Sequence, residues 1–295
     1  MPSFETYFFR VVLRTLRFVR GSKVPTLEEA RKRFRRVGKL TKIHPLITIT
    51  KTGANGVSCE FLHPKNAQED KIIVFLHGGG YTVGSLDTYR GWISQLAHLS
   101  QTTILAVAYQ QAPEHPFPTA PSNALSAYEW VLENYPNRKI YLLGDSAGGG
   151  LCLSIMLQMR EENIKMPKKC FLIAPWVDLE MKRDSIKRLA KRDLIMREKD
   201  LKMLVNLYVG KESIQNPFIS PINADLSNLP PIHIYQGTED IFLDEVKELH
   251  QKLKESENDT HLEIWEGMPH VWHLMYDKLP EARKATQKIA QMILS

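Results

Sequence analysis

The sequence predicts an α/β fold organised on a mostly parallel sheet, from two periodicities and one kind of turn. Short apolar runs recur at 71–76, 103–108, 140–143, 170–174, 232–235 and 262–265. Helix-like segments at 89–99, 123–134, 148–161 and 244–254 separate most of them. A parallel pair needs a crossover long enough to hold a helix, so strand and helix in alternation read as a doubly wound sheet. Glycine runs at Gly78–Gly80 and Gly148–Gly150 stand where such a strand gives way to a helix.

Each element has its own signal. Between residues 4 and 19, Phe4, Tyr7, Phe8, Val11, Val12 and Val19 recur at helical spacing, with the arginines mostly on another face. Pro25 and Thr26 open a second helix, with Glu28 and Glu29 in its first turn and arginines after them, the order the helix dipole favours. Residues 46–51 and 57–62 flank the turn signal Gly53-Ala54-Asn55-Gly56 and read as an antiparallel pair at the sheet edge. Residues 177–216 interrupt the strand–helix rhythm with a charged, helical insertion.

The chain has 295 residues, 43% hydrophobic and 24% charged, the size of a single α/β domain with an insertion and the composition of an ordinary globular protein. Its net charge of +6 is uneven: residues 1–40 hold eleven Lys/Arg against three Glu, leaving 28 basic against 30 acidic residues elsewhere. Basicity confined to one end, with no basic stripe interleaved with aromatics, speaks against nucleic acid as a partner. Arg10, Arg14, Arg17 and Arg20 break the apolar N-terminus, which reads as neither signal peptide nor membrane span. Cys59, Cys152 and Cys170 have no paired short spacing and read as buried free thiols, so a cytoplasmic location is expected. The ten histidines form no short-spaced triad with a carboxylate, and no metal is expected.

Chemistry is concentrated in four loops. Residues 140–150 read strand, tight turn, helix, around Gly144-Asp145-Ser146-Ala147-Gly148, a G-x-S-x-G nucleophile elbow. A serine there sits in strained backbone at a helix N-terminus, where developing negative charge is favoured. His77-Gly78-Gly79-Gly80-Tyr81 follows the 71–76 strand, and its backbone amides, with that of Ala147, are candidates for an oxyanion hole: Gly79 and Gly80 first, Gly78 after them. A serine hydroxyl also needs a base, and the base a carboxylate to fix its tautomer. The loop after 232–235 offers Glu239 or Asp240, and the loop after 262–265 offers His270 or His273. Asp145, beside the serine, reads as a brace for the elbow, and Asp178 and Glu180 as helix caps.

Together, His77–Tyr81, Tyr109–Pro118, Gly144–Gly149, Trp176–Leu179, Gly237–Glu245 and Gly267–His270 resemble successive blocks of the hormone-sensitive-lipase-like esterases, in family order across 71–275. The resemblance implies an α/β-hydrolase fold and a Ser146–His270–Asp240 triad, choosing Asp240 over Glu239 and His270 over His273. It implies a serine carboxylester hydrolase that forms a covalent acyl-enzyme on short to medium acyl esters, needs no cofactor and has homodimers among its members. It also implies one domain over 1–295, with a helical cap from about 1–40 and 177–216 on a catalytic core of 45–176 and 217–295. Two departures stand out: the family usually has Pro after the catalytic Asp and Gly-Phe after the catalytic His, where this chain has Ile241 and Val271-Trp272.

Rival readings are an amidase or deacetylase of the same fold, and a ligand-binding protein on a hydrolase scaffold. Such binding proteins lack the catalytic histidine, whereas His270 is present. The basic N-terminal helix is expected to turn Phe4, Tyr7, Phe8, Val11 and Val12 toward the active-site mouth as part of the lid, its arginines to solvent. The alternative is a weak contact of the same residues with a membrane surface.

Overall fold

Eight strands form one sheet in the order β1-β2-β4-β3-β5-β6-β7-β8 in the computed structural model, which describes residues 1–21 and 24–295. The strands are β1 (Ile47–Ala54), β2 (Val57–Pro64), β3 (Gln68–Leu76), β4 (Thr102–Val107), β5 (Lys139–Asp145), β6 (Lys169–Ile173), β7 (Ile232–Gly237) and β8 (Thr260–Trp265). The β1–β2 and β2–β4 pairs are antiparallel, and every pair from β4 through β3 to β8 is parallel. The first hairpin is longer than its sequence suggested. Asn55 and Gly56, both at positive φ, alone make the turn, so Gly53 and Ala54 remain in the strand.

The helices are α1 (Phe4–Arg20), α2 (Leu27–Val37), α3 (Leu86–Ser100), α4 (Thr119–Asn134), α5 (Ala147–Glu161), α6 (Ser185–Arg188), α7 (Glu198–Val209), α8 (Leu243–Glu255) and α9 (Pro280–Leu294). The central strands are buried on both faces. Side chains of Ile72, Val74 and Leu76 pack with α4 and α5, while Ile73 and Phe75 pack with α3 and α9. That alternation follows from the two-residue period of a strand. No element was expected after residue 273, yet α9 starts with Pro280 at its first turn and buries Ala282, Ala285, Ile289 and Ile293. Those positions have helical spacing.

The N-terminal helices overturn one expectation. Helix α2 opens with a capping box between Thr26 and Glu29 and contributes Ala30, Phe34 and Val37 to the wall of the cavity that Ser146 and His270 line. Helix α1 is docked by its polar face. Ser3 and Thr6 hydrogen-bond to Glu281, Arg10 pairs with Glu239 at 3.2 Å, and Arg17 donates to the carbonyl of Ala190 at 2.6 Å. These bonds turn Phe4, Tyr7, Phe8, Val11 and Val12 outward, and none of them lines the cavity. Polar anchoring decided the orientation that apolar periodicity left open.

Candidate active site

Ser146 stands at the carboxyl end of β5, directly before α5, with φ 50° and ψ −123°. This is a region that L-residues avoid, held here because the Ser146 N–H donates to Ile173 O and the Ser146 carbonyl accepts from Trp176, both at 2.9 Å. Close approach dictates the glycine at 148, since a Cβ there would lie 2.0 Å from the carbonyl oxygen of Leu76. The elbow is therefore pinned between β3 and β6.

The loops after β7 and β8 bring Asp240 and His270 to this serine. His270 Nε2 lies 2.9 Å from Ser146 Oγ, and His270 Nδ1 lies 2.8 Å from Asp240 Oδ2. All three residues are buried, and the ring of Phe242 meets His270 edge-on at 5.1 Å. Burial works against a charged imidazole, but the charge and hydrogen bond of Asp240, with the charges of Asp193 and Asp145 behind, carry the His270 pKa above its ordinary value. The competing residues point elsewhere. Glu239 pairs with Arg192 and Arg10, while His273 is enclosed against Trp92, its pKa held well down first by burial and then by the charge of His270.

Of the four candidate oxyanion amides, the geometry removes one. The Gly78 N–H donates to Asp145 Oδ1 at 2.9 Å, so it is not available to a ligand. Gly79 and Gly80 line the cavity with Ser146, and among the described residues their amides and that of Ala147 have no intramolecular acceptor. Gly79 has φ 115°, open to glycine alone. Asp145 also accepts from Tyr89 OH at 2.8 Å, and so braces the glycine loop as well as the elbow. Burial raises its pKa to about 7 against the pull of these two donors. Asp178 was expected to cap a helix. Instead it accepts from the Glu180 backbone at 3.1 Å and pairs with Arg183 in the turn ahead of α6.

The cavity above Ser146 encloses about 300 Å³, walled by α2, by Ile195 and Met196, by Leu204 of α7 and by Val271. Leu204 packs so close to Gly80 that a Cβ there would lie 2.5 Å from its Cδ1. The rings of Tyr81 and Tyr208 stack at 3.8 Å, a second link between the glycine loop and α7. Asp193, which sequence reasoning missed, lies at the heart of this arrangement. Its Oδ1 accepts from Ile195 and Met196 at 2.9 and 2.8 Å, and its Oδ2 accepts from the Ile241 N–H at 3.0 Å. The wall of the cavity is thereby tied to the residue next to Asp240. A proline at 241, usual in the esterases that the motifs resemble, has no N–H to give. Burial and then the charge of Asp240 raise the Asp193 pKa to about 7. The second departure also has a structural counterpart, since Val271 occupies left-handed backbone at φ 48°, where glycine would be unstrained.

Residues 73–274 match a family model described as the alpha/beta hydrolase fold. The chain is 32% identical over 231 residues to an acetyl-hydrolase of Streptomyces hygroscopicus, covering 78% of this chain and 77% of that one. A solved esterase of the bacterial hormone-sensitive lipase family superposes with a TM-score of 0.93 at 31% identity, covering 100% of this chain and 98% of that one. The chain belongs to the hormone-sensitive-lipase-like esterases of the α/β-hydrolase fold. This esterase-family hydrolase is also 29% identical over 255 residues to an esterase of Acinetobacter venetianus, covering 85% and 84% of the two chains. It is a hydrolase of the carboxylesterase type. Among its described residues, no helix is long and apolar enough to cross a membrane.

Proposed function

We propose that this esterase cleaves short to medium acyl esters through a covalent acyl-enzyme on Ser146. The carrying observation is the relay from Asp240 through His270 to Ser146, with contacts of 2.8 and 2.9 Å. Asp240 holds the Nδ1–H tautomer, which leaves Nε2 free to accept the serine proton. Ser146 Oγ attacks the acyl carbon, its proton passes to Nε2, and the carbonyl oxygen takes the charge toward the amides of Gly79, Gly80 and Ala147. The proton then goes to the departing alcohol oxygen. Water, deprotonated by His270, attacks the acyl carbon, and Ser146 recovers its proton as the acid leaves. No step calls on a metal or cofactor.

The chain-length reading rests on the cavity and on relatives. A space of about 300 Å³ closed by Leu204, Phe34 and Met196 suits a short acyl group with part of its alcohol. One relative is an acetyl-hydrolase, and a solved structure at 31% identity was soaked with p-nitrophenyl butyrate. In this reading α2 and residues 177–216 act as a cap that excludes water from the oxyanion site. The test is a set of p-nitrophenyl esters of graded acyl length beside one anilide. Highest kcat/KM between acetyl and hexanoyl, with the anilide near background, supports the reading; a preference for the anilide or for long acyl chains overturns it.

A further inference from the structure

Helix α1 presents an apolar face that no described residue covers. Phe4, Tyr7, Phe8, Val11, Phe18 and Val19 fall within about 120° of arc at 100° per residue. Their exposure runs from 52% at Tyr7 to 87% at Phe18. Thr15 is the one polar residue in that arc, its hydroxyl donating to the Val11 carbonyl at 3.1 Å, and an exposed apolar face of this kind marks a site of contact. Its orientation is fixed, because Ser3, Thr6, Arg10 and Arg17 hold the opposite face against Glu281, Glu239 and the Ala190 carbonyl.

Charge selects the occupant. The first 40 residues carry an excess of eight positive charges, and Arg14, Lys32, Arg35, Arg36 and Lys39 are exposed. Lys278 borders the groove that Phe4 and Phe8 form with Leu40. A second copy docked about a two-fold axis would set this positive region against itself. An anionic lipid surface matches both components, taking the aromatic and aliphatic side chains at the acyl boundary and the cations at the headgroups. Location adds a reason for the contact: Arg17 lies 3.5 Å from the carbonyl of Met196, and Met196 walls the catalytic cavity.

We propose that the outward face of α1 docks this esterase on an anionic phospholipid surface, beside the wall of the substrate cavity. Esters partitioned into that surface then reach the cavity without crossing bulk water. Docking is separate from the catalytic reading, and the two fail separately.

The experiment is co-sedimentation of the full chain with vesicles of phosphatidylcholine alone or with about 30% phosphatidylserine, at about 0.15 M and about 0.5 M salt. Binding to the anionic vesicles should exceed binding to neutral ones by about tenfold and weaken at high salt. A double variant, Val11→Ser with Phe18→Ser, should lose most of that binding while hydrolysing a soluble aryl ester at the parent rate. Absence of binding to the parent protein at either salt overturns the proposal, as does equal capture by neutral vesicles. A dimer in sedimentation that the double variant abolishes, without vesicle binding, overturns it too and assigns the face to a second copy.

Discussion

Replacing Asp145 tests whether a buried carboxylate beside Ser146 serves geometry or charge. Its two oxygens accept from the Gly78 N–H at 2.9 Å and Tyr89 OH at 2.8 Å, and the side chain is fully buried. Asp145→Ala leaves both donors without a partner. At about 1–3 kcal/mol for each unsatisfied buried group, the loss is about 2–6 kcal/mol of stability. Asp145→Asn retains one acceptor for Gly78, and the Tyr89 hydroxyl can rotate to accept from the new amide, so its loss is about 1 kcal/mol. The pH dependence has a definite sign. Burial raises this carboxyl to about 7, so the folded protein holds a proton that the unfolded chain has released, and the group's contribution to stability falls as pH rises from about 4 to 7. The asparagine variant lacks that decline. Urea unfolding at pH 5 and pH 8 reads both effects, provided the slopes against urea agree. Kinetically, the alanine variant frees the loop that carries Gly79 and Gly80, and kcat should fall by about 10²–10³ with KM little changed, as for loss of an oxyanion donor. An asparagine variant as damaged as the alanine one would refute the reasoning, because charge rather than hydrogen-bond geometry would then be the contribution.

Ser146→Ala should lower kcat by about a millionfold, and a fluorophosphonate should label Ser146 alone, read by mass spectrometry of the labelled peptide. Asp240→Asn and His270→Ala should each cost several orders of magnitude in kcat, while Glu239→Gln, which weakens only the pairing with Arg192 and Arg10, should remain within about tenfold. Because His270 must be neutral to accept a proton and its pKa is raised, kcat/KM on a soluble ester should fall with decreasing pH through a midpoint above about 6.5. Asp193→Asn removes one of the charges that raise the His270 pKa, so its midpoint should lie lower than the parent's; an unmoved midpoint counts against that link.

The parallel sheet was legible because buried strands and their crossover helices write different periods into the chain. The loops of the candidate site were legible because acyl-transfer chemistry restricts residue types at fixed offsets from strand ends, as in Gly144–Gly148. Choices between neighbours were less visible. Glu239 and Asp240 differ by one position and both carry a carboxylate; the loop by itself leaves them open, the family resemblance chooses Asp240, and the packing of α1 and residues 190–193 gives the reason, with arginines on Glu239 while Asp240 faces His270. Gly78 stands among the candidate oxyanion donors in the sequence because nothing local reveals that its amide turns inward to Asp145. Asp193 lay in a charged run, Lys191-Arg192-Asp193, that reads as a solvated face. Its burial is a product of tertiary structure. The same holds for α1: periodicity located its apolar stripe, but hydrogen bonds from the other side determined which way it points.

The contacts of α7 with the glycine loop bear on how such enzymes can be recombined. Leu204 fills the space above Gly80 that any side chain at 80 would need, and Tyr208 lies flat on Tyr81. A helix grafted from a relative to alter chain-length preference therefore brings along, or fails to bring, the support of the loop that carries Gly79 and Gly80. Pocket shape and turnover are inherited together across that seam, so a chimera keeping both Leu204 and Tyr208 should retain the parent's rate while its selectivity changes.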